Sequence, residues 1–182
     1  MEVLKIGERF EPSDKECLAY LLHKVTGQAL MPSFFISIPT IHIYGEAQHP
    51  SLIFPASDHE ENYFDARLKK PNINDDQVHS RASGKGVWAK CGKKYIVDSI
   101  IGLFGFLTLF KYEGQTDHED NNHEWLLKEY TLSNKYKACC LNMEYLDFVF
   151  CMVKRNPEVK VDPEKRDESL IQDLIDEMLT QG

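Results

Sequence analysis

The first clear hydrophobic pattern of the chain predicts a helix over residues 13–27, "SDKECLAYLLHKVTG". Apolar side chains recur there at helical spacing, which places them on one face; they are Leu18, Leu21, Leu22 and Val25. Ser13 and Asp14 are candidate N-caps, and Glu16 follows Ser13 at the spacing of a capping box. Gly27 supplies the expected stop. We therefore expect a short helix with one buried face.

Most of the remaining chain consists of β-branched and aromatic runs that predict strands. Polar, turn-rich stretches separate these runs, which cover residues 61–68, 86–91, 93–98, 104–112, 124–132 and 145–153. Residues 33–44 have a similar composition but contain Pro39, so we expect an extended stretch with a short edge strand there. One helix followed by an antiparallel meander predicts an α+β domain.

The chain changes character at its C-terminal end. Residues 156–168 are polar and contain two prolines, as a linker does. Beyond them, apolar residues at helical spacing between acids predict a short amphipathic acidic helix; they are Leu170, Ile171, Leu174, Ile175, Met178 and Leu179. We therefore divide the chain into a domain over residues 1–155 and an acidic tail over 156–182. The sequence leaves open whether the tail helix packs on the domain or binds a partner.

Charge is distributed unevenly along the chain. The formal net charge is −8, yet residues 67–94 hold eight bases against Asp75 and Asp76. The bases are Arg67, Lys69, Lys70, Arg81, Lys85, Lys90, Lys93 and Lys94. A basic strip on an acidic chain favours a polyanionic partner. An ordinary solvated face explains the charge equally well, so charge alone does not decide between them.

Composition favours one globular, reduced, intracellular domain. The chain has 182 residues, of which 42% are hydrophobic. Acids and Pro12 precede any apolar run at the N-terminus, so we expect no signal peptide. The longest apolar run, residues 100–110, is too short to cross a membrane. Irregularly spaced cysteines indicate no disulfide framework, and we expect core thiols at Cys91, Cys139, Cys140 and Cys151.

The basic strip is not a nucleotide-binding P-loop. Its "GKG", residues 84–86, lacks the Gly-Lys-Ser/Thr ending that holds phosphates and magnesium. Its lysines and arginine suit contacts with nucleic-acid phosphates, and its glycines allow backbone amides to approach closely. Trp88 is suited to anchor a strand edge there. A nucleic-acid element therefore explains the strip better than a nucleotide site.

Two other chemistries are disfavoured by spacing. The residues available for a zinc site lack the paired close spacing that such sites use; they are His118, His123, Cys139 and Cys140. Cys91 has basic neighbours, Lys90 and Lys93, that lower a thiol pKa. No local signature supplies an orienting partner for a Cys–His hydrolase, so an ordinary strand cysteine is the favoured interpretation.

Five blocks of sequence, taken in their order along the chain, match the pattern of one known family. They are "GERFEPSDKECLAYLL", "ENYFDARLKK", "RASGKGVWAKCGKKY", "EWLLKEYTL" and "DFVFCMVKR". Together they resemble the plant NAC transcription-factor domain over roughly residues 4–155, and their order carries the inference. The third block is similar to the family's Arg-Ala-Thr-Gly-Ser-Gly-Tyr-Trp-Lys-Ala-Thr-Gly segment, with Trp88 and Gly92 matched.

The resemblance implies a twisted antiparallel β-sheet flanked by a few helices, with no enzymatic activity and no cofactor. It also implies a nuclear dimer that inserts a strand edge into the major groove of double-stranded DNA. The DNA-binding residues so implied, with the basic strip, are Arg67, Lys69, Lys70, Arg81, Lys85, Trp88, Lys90, Lys93 and Lys94. The implied dimer residues are Leu4, Arg9, Ser13 and Glu16, and a reciprocal Arg9–Glu16 pair suits a two-fold interface.

Three departures from the family's pattern weaken the expected grip on DNA. The Lys after the family's Trp is Ala89 here, and Lys90 comes one position later, on the other face unless a bulge or slip restores it. The family's Lys-Lys before its long strand is replaced by Phe104-Gly105. Its basic loop is replaced by residues 111–124, which carry the acids Glu113, Asp117, Glu119, Asp120 and Glu124.

Two hypotheses follow from these observations. We favour a sequence-specific, dimeric DNA-binding transcription regulator of the NAC type, with altered or weakened DNA affinity. The alternative is a protein of the same fold that has lost DNA binding and acts as an interaction or dominant-negative partner of intact relatives. Its partners are then other NAC-type chains, bound as heterodimers.

Overall fold

The computed structural model describes residues 11–27, 38–44, 49–54, 61–68, 81–99, 102–114, 124–137 and 147–156. Several residues singled out by the sequence lie outside these ranges: Leu4, Arg9, Lys69, Lys70, His118, His123, Cys139 and Cys140. The predicted acidic tail helix also lies outside the described residues. These expectations therefore stay predictions.

The predicted first helix is confirmed as α1, Asp14–Thr26. The Ser13 hydroxyl accepts a hydrogen bond from the Glu16 backbone N–H at 3.4 Å, and the Ser13 backbone N–H donates to the Glu16 carboxylate at 2.8 Å. This reciprocal pair is the capping box expected from the spacing. Gly27 ends the helix with a φ of 64°, a left-handed conformation that favours glycine.

Within the described ranges, six strands form one antiparallel sheet that curls into a half-barrel. The strands are β1 Glu61–Arg67, β2 Ala82–Ser83, β3 Gly86–Asp98, β4 Leu103–Gly114, β5 Glu124–Leu132 and β6 Phe148–Asn156. Their spatial order is β1-β6-β5-β4-β3-β2. Two further helices are single turns, α2 Pro50–Ile53 and α3 Asn134–Lys137. The predicted α+β fold with an antiparallel sheet and a few helices is confirmed. No described helix combines the length and apolar character needed to cross a membrane.

Several element boundaries differ from the sequence prediction. Residues 86–91 and 93–98 were predicted as two strands but form the single strand β3, because a bulge instead of a turn accommodates Gly92. Residues 38–44 form no regular strand; Thr40 makes only an isolated parallel bridge with Asp65. The last strand begins at residue 148 instead of 145, and α2 and α3 were not predicted.

Apolar side chains cover both faces of the sheet. The face that packs on α1, called here the α1 face, contributes Leu107, Leu126, Tyr130 and Phe150 to one buried cluster. The other face, called here the Trp88 face, packs with Tyr44 and Phe54 and contributes Trp88, Phe110, Leu127 and Cys151. Because β6 is central and both of its faces are covered, residues 148–153 are all buried.

The cysteine predictions are confirmed in one case and wrong in another. Cys151 is fully buried on the Trp88 face, as expected for a core thiol. Cys91 was expected in the core but is exposed. It is the extra residue of the bulge in β3, so it has no matched position in the sheet that would bury it.

Gly105 lies where α1 approaches β4 closely. A Cβ at Gly105 would stand 2.6 Å from both Leu18 Cδ2 and the Thr131 carbonyl oxygen. We expect Gly105→Ala to lower the free energy of unfolding by about 1–3 kcal/mol, because overpacking displaces α1 or β5. Gly92→Ala is the matched control, since its Cβ would lie 3.3 Å from the Leu109 side chain and is accommodated more easily. Urea unfolding measures both variants, and equal losses would contradict the close α1–β4 contact.

Candidate nucleic-acid interface

The outer edge of β3 is open over most of its length. β2 pairs only with Gly86 and Val87, and the Trp88 N–H donates to the Arg81 carbonyl at 3.0 Å to close this short hairpin. After Trp88, no described strand lies beside β3 on its outer side. The edge therefore presents backbone groups and side chains outward. The major groove of DNA admits a β-ribbon.

A bulge in β3 determines which way its lysines face. Lys90 pairs with Phe110 of β4, and Gly92 pairs with the residue directly before Phe110. Cys91 is thus an extra residue, and every later side chain is shifted by one position from simple alternation. Lys93 pairs with Thr108, which lies two positions before Phe110 in β4. Lys90 and Lys93 therefore both lie on the Trp88 face, although they are three positions apart.

In the NAC pattern a lysine directly follows the Trp, whereas here Lys90 comes one position later. The bulge does not bring Lys90 back to the face of the pattern's lysine. Ala89 pairs with Lys111 and lies on the α1 face, whereas Lys90 lies on the Trp88 face. The extra residue, Cys91, follows Lys90, so it leaves the alternation between Trp88 and Lys90 intact. Lys90 therefore occupies the opposite face from the position at which the NAC pattern has its lysine.

Three exposed lysines line the open edge, and we call them the basic edge: Lys85, Lys90 and Lys93. Lys85 lies at the tip of the turn between β2 and β3, next to Gly84, whose φ of 55° is a hairpin-turn conformation that favours glycine. The Lys93 ammonium lies 4.0 Å from the centre of the Phe106 ring, a cation–π contact. One hairpin thus brings three positive charges to one edge.

Arg81 points into the protein instead of toward the edge. Its Nη2 lies 2.7 Å from Glu129 Oε1, and only 17% of the Arg81 side chain and 2% of the Glu129 side chain are exposed. The guanidinium carbon also lies 5.2 Å and 5.3 Å from the ring centres of Tyr44 and Phe110. The sequence predicted that Arg81 contacts a DNA phosphate. Its charge is instead compensated by Glu129 inside the domain, where burying an unpaired ion is costly.

Glu129 and Tyr44 complete this buried group, and the sequence analysis did not identify them. The Tyr44 hydroxyl donates to Glu129 Oε2 at 2.5 Å. Burial and the neighbouring carboxylate raise the pKa of Tyr44 well above its usual value, which keeps the hydroxyl a donor. The one available signal was an acid at a core-facing position of β5, two residues after Leu127. Such a position requires a buried cation, but the sequence does not say which one.

Trp88 lies beneath the open edge and is only 1% exposed. Its ring meets the Tyr112 ring edge-on, with centroids 5.2 Å apart. The Tyr112 hydroxyl in turn donates to the Ser83 carbonyl of β2 at 2.9 Å. Trp88 thus anchors the hairpin to the core of the Trp88 face, and it supports the edge without reaching its surface.

Two other predicted DNA-binding residues lie away from the basic edge. Lys94 lies on the α1 face, with its Nζ 3.7 Å from Asp14 Oδ2. Arg67 ends β1 at the opposite edge of the sheet, and its guanidinium carbon lies 4.8 Å from the Phe148 ring centre. Because β6, β5 and β4 separate β1 from β3, the two edges are about 19 Å apart. The structure groups Lys85, Lys90 and Lys93 but brings neither Lys94 nor Arg67 to them.

Acidic side chains lie on the α1 face of β4 and β5. Glu113 is exposed and pairs with Val87 beside the β2–β3 hairpin. Lys111 Nζ lies 2.7 Å from Glu124 Oε1, and this ion pair joins β4 to β5. Asp117, Glu119 and Asp120 lie outside the described residues. Because Glu113 pairs with Val87, its carboxylate lies on the α1 face and opposes a phosphate only near the tip of the hairpin, and Lys111 already has an acidic partner.

The basic neighbours of Cys91 were expected to lower the pKa of its thiol, and this expectation has the wrong direction. Although the Cys91 side chain is exposed, loss of hydration around its sulfur raises its pKa above the usual value. A backbone hydrogen bond offsets part of this effect, followed by Lys111 instead of Lys90 or Lys93. The thiol therefore stays protonated at neutral pH. Within the described ranges, no three His, Cys, Asp or Glu side chains converge on a position for a metal ion. The chemistry that these residues support is charge recognition along the edge.

Ser13 and Glu16, predicted to contribute to a dimer, lie exposed at the start of α1. Glu16 Oε2 accepts hydrogen bonds from both the backbone N–H and the hydroxyl of Ser13, each at 2.8 Å. Beside them, Asp14 is buried and accepts a hydrogen bond from the Tyr130 hydroxyl at 2.8 Å. The start of α1 is thus fixed to β5 and presents a positioned carboxylate at the surface.

Most of the chain is similar to a known protein family. A family model described as No apical meristem (NAM) protein matches residues 5–132, which is more than two thirds of the chain. The match covers α1, the β2–β3 hairpin, β4 and β5. No curated protein matches the chain.

The buried pair under the edge makes a testable prediction about stability. We expect Arg81→Leu to lower the free energy of unfolding by about 3–5 kcal/mol, because it leaves the Glu129 charge buried without its partner. Removing both charges, in Arg81→Leu with Glu129→Leu, recovers most of that loss. Lys85→Ala, at an exposed position, changes stability by less than about 0.5 kcal/mol. Urea unfolding of the three variants measures these values; equal effects of Arg81→Leu and Lys85→Ala would contradict the buried pair.

Proposed function

The chain belongs to the No apical meristem family, the NAC domain of plant NAC transcription factors, and from this premise we propose that it is a dimeric nuclear regulator of transcription. Members of the family are transcription factors and not enzymes. The proposed ligand is double-stranded DNA, bound without a cofactor by the open edge of β3. Each dimer joins two copies of this chain or one copy and a related NAC-type chain.

The observation that carries this proposal is the open strand edge with its three exposed lysines. A β-ribbon fits the major groove, and lysine side chains neutralise the phosphates that border it. Lys85, Lys90 and Lys93 take the phosphate contacts in this proposal. Arg81 and Trp88 take a supporting role, because they hold the hairpin onto the core from beneath.

We infer that the affinity for DNA is weaker than the NAC pattern implies. Arg81 is neutralised by Glu129, and Lys94 lies near Asp14 on the other face. Each phosphate contact that is not made reduces the slope of log affinity against log salt by about 0.9 in magnitude. It also reduces the affinity itself. Arg67 lies at the opposite sheet edge, so we leave it out of the interface. Lys69 and Lys70 keep their proposed contacts from the resemblance alone.

The proposed dimer uses the N-terminal segment. The capping box fixes the Glu16 carboxylate at the surface, where Arg9 of a second copy has a defined partner. A reciprocal Arg–carboxylate pair suits a two-fold axis, since the same contact forms twice. Leu4 and Ser13 are the neighbouring residues in this proposal. The Arg9–Glu16 pair thus forms at both ends of one symmetric contact.

A second candidate function is favoured by the charges around the edge. Glu113 flanks the hairpin, Lys90 lies on the opposite face from the family's lysine, and the chain as a whole is acidic. A chain of this kind that dimerises but binds DNA poorly sequesters intact relatives in heterodimers. Loss of DNA binding with retained dimerisation would favour this function over the first.

The DNA proposal predicts the salt dependence of binding. We expect Lys90→Ala with Lys93→Ala to reduce the magnitude of the negative slope of log affinity against log salt by about 1.8 per protomer, because two phosphate contacts are lost. Fluorescence anisotropy with a random duplex pool over a series of salt concentrations measures this slope.

Arg67→Ala is the matched control for that titration, since it removes one positive charge at the opposite edge of the sheet. Its slope should equal that of the unmodified chain. Absence of binding to any duplex at low ionic strength would exclude the DNA proposal and leave the heterodimer function. A decrease in Arg67→Ala about half as large as that in the double variant, one charge removed against two, would show that net charge, instead of the basic edge, governs binding.

The dimer proposal predicts an effect of charge reversal. We expect Arg9→Glu to shift the chain toward monomers in analytical ultracentrifugation, because two like charges then meet in each reciprocal pair. Lys15→Glu, an exposed reversal on the first turn of α1, is the control and should leave the mass unchanged. An unaltered dimer in Arg9→Glu would contradict the assigned contact, although an exposed pair alone contributes only about 0–1 kcal/mol.

A further inference from the structure

An exposed apolar patch lies on the Trp88 face near the end of β3 and the start of β4. It consists of the exposed side chains of Tyr95 and Val97 beside the half-buried rings of Phe104 and Phe106, and we call it the aromatic patch. Tyr95 is 53% exposed and Val97 is 40% exposed. The Tyr95 ring lies 5.1 Å from the Phe106 ring and 6.5 Å from the Phe104 ring, between centroids. Contiguous exposed apolar groups of this kind mark interaction surfaces.

Two lysines give the aromatic patch a positive charge. Lys93 Nζ lies 4.0 Å from the Phe106 ring centre, and Lys135 Nζ of α3 lies 3.2 Å from the Phe104 ring centre. These ammonium groups cover the ring faces on which a base of single-stranded nucleic acid would stack. The patch instead suits a partner that offers apolar side chains flanked by carboxylates.

The chain itself contains a segment of this chemistry, and we propose that residues 170–179 dock on the aromatic patch. The segment has apolar residues at helical spacing, of which Leu174 and Ile175 are central, and it contains no bases. Its acids are Asp173, Asp176 and Glu177. Apolar residues of the segment cover Tyr95 and Val97, while its carboxylates face the two lysines.

The chain is long enough for this contact. β6 ends beside Glu124, and the patch lies at the level of Thr131, which pairs with Phe106. Seven residues along β5 and two strand spacings separate these points, a distance of about 25 Å. Thirteen residues, 157–169, connect β6 to the segment and span up to about 43 Å when extended. The segment therefore reaches the patch within its own chain.

Zero-length cross-linking of the full chain tests this contact directly. A water-soluble carbodiimide activates a carboxylate, and a touching lysine amine then attacks it and forms an amide with net loss of water. We expect cross-links from Lys93 or Lys135 to an acid of residues 173–177, identified by mass spectrometry of tryptic peptides. A mixture of ¹⁴N- and ¹⁵N-labelled chains separates links within one chain from links between copies.

Matched variants assign the contact to the patch. Tyr95→Ser with Val97→Ser, and separately Leu174→Ser with Ile175→Ser, should each lower the cross-link yield about tenfold, because docking loses its buried apolar area. Val87→Ser is the control, since Val87 is 41% exposed on the same strand but on the α1 face. Its yield should be unchanged.

Several outcomes would overturn the proposal. Absence of these cross-links in the unmodified chain, or equal yields in all variants, would show that the segment does not dock on the patch. Links only between differently labelled chains would assign the patch to a second copy. Binding of a labelled single-stranded oligonucleotide that is lost in Tyr95→Ser with Val97→Ser would assign it to nucleic acid. The cross-linking assay contains no DNA, so its failure leaves the proposed function untouched.

Discussion

The extra residue in β3 decides which side of the sheet the second half of that strand serves. Simple alternation from Trp88 would place residue 96 on the Trp88 face, but the bulge at Cys91 turns Ile96 to the α1 face. There Ile96 is 5% exposed and packs in the cluster that holds α1. The same shift sends Lys93 and Tyr95 to the Trp88 face. The core under α1, the basic edge and the aromatic patch all depend on that single insertion.

The positive charge of residues 67–94 does not form one surface, because the fold sends its members in different directions. Lys85, Lys90 and Lys93 line one edge, whereas Lys94 turns toward Asp14 on the α1 face. Arg81 is enclosed with Glu129, an arrangement in which the lost hydration of both ions offsets much of their attraction. Such a pair fixes the position of the hairpin more than it adds net stability. A count of bases along the sequence therefore overstates the charge available to a phosphate backbone.

The sequence predicted those helices and strands that are determined by short stretches of neighbouring residues. Ser13 and Glu16 define the start of α1 within four residues, and five of the six strands of the sheet follow from apolar runs. A bulge near Lys90 was considered from the sequence, but two separate strands were predicted on either side of Gly92, because a glycine between two strand-like runs is also the signature of a turn. The Arg81–Glu129 pair joins residues 48 positions apart. Arg81 directly precedes β2 and Glu129 lies in β5. The two residues are recognised as partners only when the order of the strands in the sheet is known.

Lys93 belongs to both proposed surfaces, and that shared position couples them. Its ammonium contacts the Phe106 ring of the aromatic patch while it lies on the basic edge. A carboxylate at Lys93 reduces the positive potential there and repels a phosphate, so a docked acidic segment and DNA compete for this lysine, and this coupling rests on both proposals. In that proposal, thirteen residues tether the segment to β6 and give it an effective concentration on the order of 1 mM. A docking contact with an intrinsic Kd below about 1 mM is therefore more than half occupied, and DNA must then displace the segment before Lys93 reaches a phosphate.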